Sequence, residues 1–227
     1  MKISSLFARC AIASAALLAV AGAHASVTVT SKYSQGLAAV KNFTKTAPVV
    51  NVPVWNINDN GTDWLAFCIE PMTGMNTKTT TYTANAAFTG FDSNTSVQRL
   101  YSLYYADTLT ADAAGKSTAL SFQLALWELY NDNGNLASGD LQVLTNGTTN
   151  TSVANSTIVN NTTSMLLAAQ ANTAFVSKYD FTSYAAAGSQ TVVTANLISA
   201  VPEPTTYAMM GVGLAAMGLF ARRRKQA

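Results

Sequence analysis

Cys68 is the residue of this chain best suited to covalent chemistry. It stands near the end of Asp63-Trp64-Leu65-Ala66-Phe67-Cys68-Ile69-Glu70, and the other cysteine, Cys10, lies in an N-terminal apolar run that reads as removable. A thiol attacks as its thiolate, so some local feature must lower its pKa. No base is identifiable beside it. The single histidine, His24, falls in the same removable segment. The remaining chain therefore has no imidazole for a Ser-His or Cys-His pair or for a metal. One cysteine makes neither an internal disulfide nor a zinc cluster. Glu70, Glu128 and Asp132 are carboxylates that fold to one place only if the tertiary structure brings them there. Glu128 and Asp132 are four apart, but Asp132 already belongs to a helix stop. Two partial motifs fail on inspection. Asn56-x-Asn58-x-Asn60-Gly61 has the spacing of a calcium loop, but it lacks the leading Asp and holds Phe67 at the twelfth position, so a turn is expected. Gly115-Lys116-Ser117 ends like a phosphate loop, but Thr110 occupies the earlier glycine position. No G-x-S-x-G occurs, and no metal or cofactor is expected.

Two short segments carry a family resemblance. Phe67-Cys68-Ile69-Glu70 is aromatic-Cys-aliphatic-acidic, and Gln123, 55 residues after Cys68, is followed by x-Ala-aliphatic-Trp in Leu124-Ala125-Leu126-Trp127. In that order they resemble the thioester domains of bacterial surface adhesins, over about residues 64–131. Phe122 stands where that family usually has Thr. The resemblance implies that the Cys68 sulfur attacks the Gln123 side-chain carbonyl and expels ammonia. The product is an internal thioester, which an outside nucleophile such as a lysine amine then opens, becoming bonded to Gln123. Proximity is the main accelerator. Such a protein acts once and does not turn over, so it is not an enzyme. The residues also admit a plainer reading. A lone Cys in a strand is commonly a small buried hydrophobe, a helical Gln is commonly solvated, and Leu120, Leu124 and Trp127 fit a core stripe. The alternative is a non-catalytic structural or exopolysaccharide-associated surface protein with an inert, buried Cys68.

The elements around these residues follow from periodicity. Ser26 to Tyr33 alternates Val and Thr and reads as a strand. Pro48 to Ile57 is Val-rich, with Pro53 marking an edge or bulge. Asn58-Asp59-Asn60-Gly61 is a turn, and Asp63 to Glu70 a strand with Cys68 near its end. Lys78 to Phe88 reads as extended. Val97, Leu100, Tyr101 and Tyr104 have helical spacing. Ser117 to Tyr130 reads as a helix with Leu120, Leu124 and Trp127 on one face, stopped by Asn131-Asp132-Asn133-Gly134. Thr145 to Thr163 reads as a loop or irregular strands, Met165 to Tyr179 as a third helix, and Thr191 to Leu197 as a closing strand. The class is α+β, with strands before and after a helical middle.

The two ends read as addresses. Lys2 and Arg9 precede the 13-residue run Cys10–Gly22, and Ala23-His24-Ala25 is an A-x-A cleavage signal. The run falls short of the roughly 20 residues a spanning helix needs. The expected division is a signal peptide over 1–25, an exported domain over 26–200 and a tail over 201–227. In the tail, Val201-Pro202-Glu203-Pro204 leads into the uncharged 15-residue stretch 207–221, and Arg222-Arg223-Arg224-Lys225 follows at once. That stretch reads as a single membrane helix with a basic, cytoplasmic stop. This order resembles the PEP-CTERM sorting tail of Gram-negative bacteria. The resemblance implies recognition by an exosortase-type enzyme, transient residence in the inner membrane, and delivery to the cell surface or extracellular matrix. The target of attachment would be a surface protein or polysaccharide. Between the ends, seven basic residues face ten acidic ones, a net charge of −3. With no basic footprint, nucleic acid is an unsuitable partner.

Overall fold

The computed structural model describes residues 27–43, 49–76, 81–85, 89–146, 154–198 and 209, 210 and 212. The signal-peptide residues Ala23 and Ala25, the motif Val201 to Pro204 and the basic block Arg222 to Lys225 lie outside the described residues, as does most of the 207–221 stretch. Among the described residues no helix is long and apolar enough to cross a membrane.

Seven strands form one antiparallel sheet in the order β4-β6-β7-β3-β2-β1-β5. The first three are β1 (Thr28–Asn42), β2 (Val49–Asp59) and β3 (Thr62–Cys68). β2 and β3 join through Asn60-Gly61, both at positive φ (54° and 81°), with Asp59 opposite Thr62. This two-residue hairpin is what an Asn-Gly pair favours, because both central residues must turn left-handed. The calcium-like asparagines serve that turn. Asn58 accepts from the Gly61 N–H at 3.2 Å and donates to Asp63 at 2.7 Å. β4 (Thr83–Asn85) is short, and β5 (Leu141–Val143), β6 (Tyr179–Ala186) and β7 (Ser189–Leu197) complete the sheet.

After the short α1 (Thr89–Asp92) come three helices, α2 (Thr95–Thr108) and α3 (Ala113–Asn131) against the sheet and α4 (Asn155–Gln170) against those two. α3 packs on β1, β2 and β3, and also against α2 and α4. It is therefore central. Every residue from Ala119 to Glu128 is buried, not the single Leu120-Leu124-Trp127 face that the periodicity suggested. A helix apolar all round is a core helix. It starts earlier than Ser117. Asp112 caps it by accepting from the Gly115 N–H at 2.7 Å. Gly115 is needed for close approach, since a Cβ there would lie 2.1 Å from the Thr110 carbonyl oxygen. The phosphate-loop likeness is thus a helix start. Gly134, at φ 75°, ends α3 by donating to the Glu128 carbonyl at 3.1 Å.

Two expectations are corrected. The Asn/Thr/Ser-rich segment read as a loop over 145–163 contains the first half of α4, and the helix read over 165–179 ends at Gln170, with Tyr179 opening β6. Weak helix propensity is overridden by packing. Ile158, Val159, Thr162, Met165, Leu166 and Ala169 form the buried side of α4. The hydroxyls of Thr162, Thr163 and Ser164 bond back to carbonyls one turn earlier, at 2.8, 2.8 and 3.1 Å. Beyond α4, Arg99 is buried at 7 % exposure and donates to the carbonyls of Ala169, Ala171 and Thr173. Its charge meets the negative end of the helix in place of a carboxylate.

Candidate functional site

The sheet changes partners at Cys68. β3 pairs with β2 from Thr62 to Ala66, and then Phe67 and Cys68 pair with β7. Continuing the β2 register past Trp55–Ala66 by two residues would set Pro53 opposite Cys68. Proline has no N–H to offer. The ladder stops there, as Pro53 foretold, and the main-chain groups of Cys68 need another partner.

Gln123 supplies it. The Cys68 N–H donates to Gln123 Oε1 at 2.7 Å, and Gln123 Nε2 donates to the Cys68 carbonyl at 2.8 Å. The side-chain amide thus occupies a ladder position, held at both ends. Both residues are at 0 % exposure. The contact spans 55 residues of sequence, so the topology of sheet and helix creates it. Trp127 and Asn131 follow Gln123 at spacings of four, on the same face, and Asn131 Nδ2 donates to the Ile69 carbonyl at 3.1 Å.

The residues just before the pair also meet. Phe67 and Phe122 have ring centroids 4.5 Å apart, and Tyr101 stands edge-on to both at 6.5 and 4.8 Å. Such ring pairs add about 0.5–1.5 kcal/mol beyond the area they bury. Phe122, the departure from the family pattern, is here the residue that clamps α3 to β3. Phe67-Cys68 and Phe122-Gln123 therefore dock as two dipeptides.

Electrostatics near the sulfur run against the lowered pKa expected of an attacking thiol. Cys68 is a free, buried thiol. Burial pushes its pKa up to about 12; the Glu70 backbone N–H and the Trp127 indole oppose this, while the Glu70 charge adds to the rise. The Glu70 carboxylate is occupied elsewhere, accepting from the Thr191 N–H at 3.0 Å and its hydroxyl at 2.9 Å. Glu128 faces Asn135, and Asp132 accepts from the N–H groups of Asp140 and Leu141. The three carboxylates thus serve different loops. The Asp132 charge acts on Glu128, but no cluster of three potential metal-binding side chains exists among the described residues. A cavity of ≈ 460 Å³ lies between α4 and the turn at 133–137; neither Cys68 nor Gln123 lines it.

Sequence reading missed the role of Asn131; its place two turns after Gln123 on the same helix face was the available signal. Chemically, the arrangement aims an N–H at the very oxygen on which charge builds when an amide carbonyl is attacked, which is the logic of an oxyanion hole.

Comparison with known proteins agrees with the sequence reading of the C-terminal tail. Residues 200–225 match the PEP-CTERM protein-sorting motif. Among curated proteins, none matches the chain in sequence. In structure the chain is similar to the N-terminal domain of the Streptococcus pyogenes pilus tip adhesin Cpa, at 11 % identity and a TM-score of 0.48, covering 77 % of this chain and 95 % of that one. It is similar to the N-terminal thioester domain of the fibronectin-binding protein SfbI from Streptococcus pyogenes, at 11 % identity and a TM-score of 0.46, with the same shares of 77 % and 95 %. It is also similar to the N-terminal thioester domain of a surface protein from Clostridium perfringens, at 12 % identity and a TM-score of 0.40, covering 73 % and 99 %. The sorting motif makes this an exported, cell-surface protein that an exosortase processes.

Proposed function

We propose that this surface protein forms an internal thioester between Cys68 and Gln123 and uses it once, to bond covalently to an amine-bearing partner. The observation that carries the reading is the paired hydrogen bond between the Gln123 amide and the Cys68 main chain. The Cys68 thiol gives its proton to the departing nitrogen, the sulfur bonds to the Gln123 amide carbon, and ammonia leaves. The Cys68 N–H at 2.7 Å from Oε1 stabilises the tetrahedral oxyanion. An outside amine then displaces the sulfur, leaving an amide at Gln123 and a thiol at Cys68. The tail over 201–227 delivers the domain, with 207–221 as its membrane helix and Arg222 to Lys225 as the cytoplasmic stop, on the way to the surface or matrix of a Gram-negative cell. The target is a surface protein or a polysaccharide bearing amines.

One observation favours the rival reading of an inert Cys68 in a structural surface protein. Both partners are at 0 % exposure, and a Gln amide that completes a broken ladder needs no chemistry to justify it. Intact mass decides between them. A thioester makes purified protein lighter by one ammonia and hides the thiol after denaturation. Methylamine then adds at Gln123 and exposes a titratable thiol, and Cys68→Ala or Gln123→Ala gives full mass with no labelling. Full mass and a free thiol in fresh, amine-free wild type favour the rival.

A further inference from the structure

We propose that the buried, unpartnered Trp127 indole N–H is the catalytic group that stabilises negative charge on the Cys68 sulfur as the thioester forms and opens. The inference rests on the Cys68–Gln123 thioester proposed above.

Gln123, Trp127 and Asn131 share one face of α3 at successive turns. The outer two are fixed on β3 and its continuation: Gln123 on the N–H and carbonyl of Cys68, Asn131 on the carbonyl of Ile69. Trp127 lies between them on that face. Its indole edge is set further by Phe43, whose ring stands perpendicular to it at 6.3 Å. Trp127 is 2 % exposed, and its Nε1 is buried without a hydrogen-bond partner. A buried indole N–H ordinarily finds a partner. Cys68 is the polar side chain within its influence, and the indole acts on the thiol in the direction that favours the thiolate.

This placement matters because burial makes charge on the sulfur costly. In the forward step the sulfur loses a proton to the departing nitrogen and forms the S–C bond as the C–N bond breaks. In the opening step the S–C bond breaks, the amine nitrogen bonds to carbon, and its proton returns to sulfur. Negative charge passes through the sulfur in both. An N–H that stabilises that charge lowers both barriers without itself exchanging a proton. The Cys68 N–H does the same for the carbonyl oxygen, so two donors divide the charge of the reaction between them.

The test uses the purified protein with Trp127→Phe, and with benzothienylalanine replacing Trp127, which keeps the bicyclic shape and lacks the N–H. Methylamine opening of the thioester should slow about tenfold or more in both. A second arm places Gln123→Ala beneath each variant, so that no thioester exists, and follows iodoacetamide capture of Cys68 against pH. Loss of the N–H should shift that profile upward by about one pH unit, the tenfold change expected from one lost donor. Unchanged opening rates in the benzothienyl protein overturn the catalytic role. An unshifted alkylation profile overturns the effect of the indole on the sulfur. Full mass in the wild type removes the thioester and the catalytic role together, whereas a slow variant with a normal thioester mass defect implicates Trp127 alone.

Discussion

Replacing Glu128 with Gln should flatten the dependence of stability on pH. Glu128 is at 0 % exposure; its Oε2 accepts from the Asn135 N–H at 2.8 Å, and its Oε1 has no partner. Burial raises its pKa from 4.5 to about 8, the Asp132 charge adds to the rise, and the N–H groups of Asn135 and Gly134 oppose it. Unfolded, the carboxyl ionises near its ordinary value. Between the two values the native state holds a proton that the unfolded chain has released. Stability is therefore full below about pH 4.5 and is lost as pH rises through 8. At about 1.4 kcal/mol per pKa unit, the full shift would be worth about 5 kcal/mol, and relaxation around the open oxygen reduces it to about 2–4 kcal/mol. For a domain of this size that is roughly 5–15 °C in Tm. Glutamine keeps the shape and the acceptor for Asn135 while removing the titration. Thermal melts followed by circular dichroism across this pH range should fall steeply in wild type and stay nearly level in Glu128→Gln, with the variant more stable at the alkaline end. Parallel curves for the two proteins, or wild-type stability that rises with pH, would refute the reasoning.

Two further outcomes follow from the same structure. Arg99→Ala strips the carbonyls of Ala169, Ala171 and Thr173 of their shared donor and should cost about 2–4 kcal/mol in urea unfolding; Arg99→Lys, with a point charge for the planar fork, should recover only part. Deleting residues 202–227 should release the domain from the cell envelope in fractionation, and the released protein should begin at Ser26 on N-terminal sequencing; unchanged retention would deny the tail its sorting role.

Much of the organisation was legible in the chain itself because it is locally encoded. The Asn60-Gly61 hairpin follows from backbone conformations that those two residues accept easily. Gly134 ends α3 for the same kind of reason, and the sorting motif is linear by nature. Where local preference and tertiary packing disagree, sequence reading failed. α4 is built from Asn, Thr and Ser that helices tolerate poorly, and only the burial of Ile158, Met165 and Leu166 against its neighbours makes it helical. β5 and β6 likewise owe their strand form to the partners that pair with them. For the site, the resemblance to a family pattern singled out Cys68 and Gln123, where the residues alone also admitted an inert Cys and a solvated Gln. What only the tertiary structure decided is how they meet. Pro53 ends the β2–β3 ladder, the Gln123 amide completes it across 55 residues, and Phe67 stacks on Phe122 to hold the register. Burial of the sulfur and of the unpaired indole are likewise properties of the packed core. No periodicity along one element carries them, because each depends on the separation of atoms that belong to two.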